Sequence, residues 1–113
     1  DAVATAFENS DYDIEVVSAE TPDDTAELCR LYKPEVLIME VTGYPPWRLS
    51  ERLKLRETVL SECPECKIAL IVDSNTEKRT AKAIRDAKKN GIIDQFFYGS
   101  MTAEYLMDQV YAM

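Results

Sequence analysis

Histidine is absent from these 113 residues. Its absence removes the commonest general base near neutral pH and the commonest metal ligand, which counts against Ser-His or Cys-His catalysis. Cysteine is scarce: the three present cannot all pair within one chain, which fits a reducing compartment better than a disulfide scaffold. Apolar runs are short, none approaching the roughly 20 residues needed to span a bilayer, and there is no basic-plus-apolar signal segment. The expectation is a soluble, cytoplasmic protein. Positive charge is the minority sign, 13 Lys and Arg against 21 Asp and Glu, for a net charge of −8. Such a balance disfavours direct nucleic-acid binding, which needs a basic patch, and anionic membrane surfaces repel it. Internal repeats, low-complexity tracts and interdomain linkers are also missing, so residues 1–113 read as a single domain with one core.

What is present centres on Pro34-Glu35-Val36-Leu37-Ile38-Met39-Glu40-Val41-Thr42-Gly43-Tyr44-Pro45-Pro46. Val36 to Met39 is an unbroken apolar run bounded by turn residues, as expected for a strand buried on both faces of a parallel sheet. Glu40 follows at the point where the run gives way to a loop. Ligands of open α/β sheets bind beyond the carboxyl ends of the strands, which makes Glu40 the candidate for chemistry; a first solvated residue after a strand is the plainer alternative.

Around this stretch the pattern alternates. Residues 1–9 have the spacing of the last turns of a helix, and Tyr12 to Ser18 is a β-branched strand. Thr21-Pro22-Asp23-Asp24 marks a helix start, with Thr21 as N-cap and acids in the first turn; the helix runs to Lys33 with Leu28, Leu31 and Tyr32 inward. Trp47 to Ser61 is helical with Leu49, Leu53, Val59 and Leu60 apolar, and Ile68 to Val72 is a second buried strand. Thr76 to Asn90 is a charged helix with a thin inner face of Ala83, Ile84 and Ala87, and Gly91 takes the position just past its end. Ile92 to Tyr98 is the last strand and Thr102 to Met113 the last helix. Alternation at this spacing predicts an α/β fold with a doubly wound parallel sheet. Because the chain opens on a helix, a first strand is expected to be missing from it.

Pro34 to Val41, the Ile68 to Val72 strand, the Ala-containing helix ending at Gly91, and Ile93-Asp94-Gln95-Phe96-Phe97-Tyr98 together resemble the receiver domain of bacterial response regulators, in order and spacing over the whole chain. The resemblance implies a flavodoxin-like receiver fold with strand order 2-1-3-4-5. It also implies an aspartyl-phosphate site with Mg²⁺ held by acids after the first strand, a hydroxyl residue ending the fourth strand and a lysine ending the fifth. Here the phosphoacceptor position holds Glu40 and the hydroxyl position Asp73, or Ser74 if the alignment slips by one. The lysine position holds Tyr98, followed by Gly99 where the family has proline. The aromatic switch position holds Gln95, or Phe96 with the same slip, and the acidic pair has no counterpart.

These departures disfavour phosphotransfer. One extra methylene displaces the Glu40 carboxylate from in-line geometry. Tyr98 lacks the cation that would neutralise a phosphoryl group. Asp73 near Glu40 adds a second negative charge. The resemblance therefore implies an atypical receiver-like domain in signal transduction, not an enzyme, that serves as a protein-interaction or dimerisation module without cofactor or small-molecule substrate. Glu40 would then imitate the phosphorylated state. The family's usual contact face would here include Phe97, Tyr105 and Tyr111.

Two other readings compete. In one, acids upstream of Asp1 join Glu40 to hold Mg²⁺ and a phosphoryl group, as in a working phosphorelay receiver. In the other, Cys63-Pro64-Glu65-Cys66 is a redox pair or half a zinc site, with Cys29 the remaining cysteine. The pair follows a helix and precedes a strand, the wrong end of the helix dipole for activating a thiol; two thiols in a turn is the plainer reading. Lys78, Arg79, Lys82, Arg85, Lys88 and Lys89 make one helix basic, either a solvated face or a dock for an acidic partner. Tyr44, Pro45, Pro46 and Trp47 could form an aromatic lip beside Glu40 or fold back on the core.

Overall fold

A computed structural model describes residues 19, 21–72, 78–99 and 103–113. The order is α1 (Pro22–Tyr32), β1 (Val36–Val41), α2 (Leu49–Glu62), β2 (Lys67–Val72), α3 (Lys78–Lys89), β3 (Gln95–Tyr98) and α4 (Ala103–Tyr111). The helix and strand expected before Thr21 lie outside the described residues.

The three strands form a parallel sheet in the order β1-β2-β3. Side chains alternate between its faces. On one face Met39, Val41, Ile68, Leu70 and Val72 build the larger core with Cys29 of α1, Leu55 and Val59 of α2, and Ile84 and Ala87 of α3. On the other, Ala69 and Phe97 pack with Leu106 of α4, joined by Ile38, Ile71 and Val110. The protein is thus an α/β structure with a parallel sheet flanked by helices on both faces.

Local chemistry explains the element ends. Thr21 Oγ1 accepts from the Asp24 N–H at 3.1 Å, Pro22 opens α1 and Asp23 and Asp24 fill its first turn, all as expected. Lys33, in the left-handed region at φ 47°, closes α1 through its N–H to Cys29 O. At the end of α3, Gly91 (φ 76°) donates to Lys88 O at 3.1 Å and Ile92 to Ala87 O at 2.8 Å, the paired bonds of a Schellman motif.

Several expectations need correction. The inward face of α1 is Thr25 and Cys29; Leu31 is 67 % exposed and Tyr32 is exposed too, because the helix lies on its smaller side chains. In α3, Ala83 is exposed, while Ile84 and Ala87 are buried. α2 begins at Leu49 rather than Trp47, whose N–H bonds to Tyr44 O and whose carbonyl accepts from Thr42 N, both at 2.9 Å, holding it in the loop. The last strand begins at Gln95, not Ile92. Ile92 and Ile93 are apolar because they finish the α3 cap and, for Ile93, enter the core.

Candidate functional site at the carboxyl end of the sheet

Glu40 is the penultimate residue of β1 and is exposed, level with Ile71 of β2, which in turn pairs with Phe97 of β3. That row contributes Ile71 and Phe97 to the α4 side. The next row, Val41, Val72 and Tyr98, faces the opposite way, towards the larger core. Tyr98 also makes an edge-on ring contact with Phe96, two residues earlier on the same face, at 5.9 Å between centroids. Glu40 and Tyr98, expected to share one site, therefore leave the sheet from opposite faces. Asp73 and Ser74 lie outside the described residues.

Beyond β1 the chain makes a tight loop. Thr42 Oγ1 accepts from the Tyr44 N–H at 3.1 Å, and the Thr42–Trp47 and Trp47–Tyr44 backbone bonds close the turn. Tyr44 and Trp47 project outward as exposed aromatics. Neither folds back into the core.

Sequence reading missed the residue that ties this loop to the helix after it. Arg52 of α2 is only 8 % exposed, and its Nε donates to Glu40 O at 2.8 Å. Burial draws its pKa below the ordinary value, while the Glu40 and Glu51 carboxylates act in the opposite sense. A signal existed: Arg52 falls three residues after Leu49 and three before Leu55, within the apolar stripe of its helix. No side chain caps α2; Arg48 Nε instead pairs with Glu51 Oε1 across the first turn at 2.8 Å.

At the outer strand, Gln95 Oε1 accepts from Lys88 Nζ at 2.6 Å, and that ammonium lies 5.6 Å from the centre of the Phe96 ring. Phe96 packs against the larger core, whereas Gln95, one residue earlier, belongs to the opposite face. Gln95 and Phe96, the two residues offered for the aromatic switch position, thus take opposite faces of β3. Phe97, expected on a contact surface, is a core residue at 2 % exposure, whereas Tyr105 and Tyr111 are exposed on α4.

All three cysteines are free and buried. The Cys63 and Cys66 thiols lie against the carbonyls of Pro34 and Lys67. Burial, reinforced by the neighbouring thiols, pushes Cys66 up to about 12, and burial also raises Cys29. A nucleophilic or metal-bound thiolate needs the reverse. Among the described residues, no group of three or more His, Cys, Asp or Glu could hold a metal ion. An open groove of about 450 Å³ lies at the other end of the sheet, lined by Arg56, Glu65, Lys67 and Asp94 among others. Asp94 is engaged there, one carboxylate oxygen accepting from Ile68 N at 2.8 Å, and the lining lies at the amino ends of the strands, away from Glu40.

Among the described residues, no helix is long and apolar enough to cross a membrane. Comparison with models of protein families and with characterised proteins found no match to this chain. The structure defines a class, an α/β protein with a parallel sheet flanked by helices.

Proposed function

We propose that this chain is an atypical receiver-like domain of the flavodoxin-like, doubly wound type, acting in cytoplasmic signal transduction as a phosphorylation-independent protein-interaction module. The observation that carries this reading is the state of the Glu40 site. A receiver needs an acceptor carboxylate and a lysine converging on one phosphoryl group. Here Tyr98 stands in the lysine position and leaves the sheet on the face opposite Glu40. The buried cation nearest Glu40, Arg52, has its Nε engaged with a backbone carbonyl. In support of the fold, the strand order β1-β2-β3 matches the third, fourth and fifth strands of the receiver order, and α2 and α3 lie on one face with α4 on the other.

The test is an amide NMR titration with Mg²⁺ and beryllofluoride, an aspartyl-phosphate mimic. The expected outcome is a folded spectrum without shifts around Glu40, Thr42 and Tyr98. Saturable shifts confined to those positions would overturn the proposal in favour of a working phosphorelay receiver that holds Mg²⁺ through Glu40 and further acids.

A further inference from the structure

The outer surface of α3 carries a stripe of like charge. Lys78, Lys82, Arg85 and Lys89 are all exposed. Their spacings of four, three and four residues place them in one stripe, opposite the buried Ile84 and Ala87. At 1.5 Å rise per residue the stripe is roughly 16 Å long. Each successive pair is a like-charge pair at helical contact distance, which is unfavourable. Asp86 is the single acid of the helix, and among the described residues no ion pair engages the four stripe cations. Lys88 is separate, held by Gln95.

The rest of the chain has the opposite character. With six Lys or Arg and one Asp, α3 is net +5. The other seven basic and twenty acidic residues leave the remainder at −13. Building on the interaction-module reading, we propose that the α3 stripe is the docking site for a short acidic, Asp- or Glu-rich segment of a partner protein. Length and sign together select this occupant. About five residues of extended chain, at roughly 3.3 Å each, cover the stripe and end with it. A nucleic-acid duplex, with about one charge per 1.7 Å, would continue past the stripe into the field of the acidic body. A second copy of the chain would bring its own net charge of −8 into repulsion with the first.

The experiment is an amide NMR titration of the whole chain with an octaglutamate peptide. Shifts should map to residues 78–89. Raising salt from about 0.1 M to about 1 M, which shortens the screening length from about 10 Å to about 3 Å, should abolish them. The double variant K82E/R85E should weaken binding about tenfold while melting no lower than the parent, since it removes like-charge pairs. Reversing the exposed Lys54 and Lys67 should leave binding unchanged. Absence of peptide binding, or equal loss in the Lys54 and Lys67 control, would overturn the proposal. So would tighter binding of a DNA duplex, or salt-sensitive self-association through the stripe without peptide binding. A protein that answers beryllofluoride yet binds the peptide through α3 would fail the phosphorylation-independent reading and keep this one.

Discussion

Arg52 shows how one side chain can set the geometry of a strand exit. A buried guanidinium is tolerated only with its donors engaged, and here Nε satisfies the carbonyl of Glu40 as β1 ends. Arg52→Met keeps the apolar stem but removes the donor. It should cost about 1–3 kcal/mol, read by urea unfolding. Arg52→Lys should not restore the loss, because an ammonium on a flexible stem does not reproduce the planar donor. The thiols give a second prediction at this scale. The folded-state pKa of Cys66, about 12, lies above the 9.0 of a free thiol. A group raised in this way favours the folded state fully below the lower value, and that contribution is lost as pH rises through the higher one. Stability should therefore decline from about pH 9 upward, more steeply than in Cys66→Ala, and the buried Cys29 and Cys66 thiols should not react with a thiol reagent in the folded protein near pH 8.

At the level of elements, the sequence was readable where one local rule decides. Thr21-Pro22-Asp23-Asp24 announces a helix start through capping chemistry alone, and Gly91 announces an end because an αL residue is needed there. Gly91→Ala should cost about 1–2 kcal/mol by thermal unfolding. The cost would be conformational, since a Cβ there would meet nothing within 4 Å. Gly43→Ala, equally open and without a positive φ, should be nearly neutral. Reading failed where tertiary packing chooses among similar residues. Leu31 and Tyr32 have the hydrophobicity of a core face, yet α1 docks through Cys29 and Thr25. Ile92 and Ile93 have the β-branching of a strand but finish a helix cap. The candidate site was legible as a position, Glu40 near the carboxyl end of an apolar strand. Its partners were not, because which face each strand-end residue takes depends on the register between strands, as Tyr98 shows.

Among the described residues, the sheet divides the interior unequally. The α4 side is a small core centred on Phe97, Ala69 and Leu106. Phe97 therefore serves packing, and Phe97→Ala should lower stability by about 3–5 kcal/mol in chemical denaturation without changing the sedimentation behaviour of the protein that remains folded. A shift in association state with stability intact would mean that the ring is a surface contact after all.

The order β1-β2-β3 also has a kinetic meaning. Each strand pairs with the strand one helix earlier in the chain, so β2 closes a loop of modest length onto β1, and β3 does the same onto β2. Loop-closure entropy grows slowly with length and is met here in two similar instalments rather than one long return. A chain emerging from the ribosome could lay down this part of the sheet by accretion, in the order of synthesis, with β2 as the template on which β3 is set.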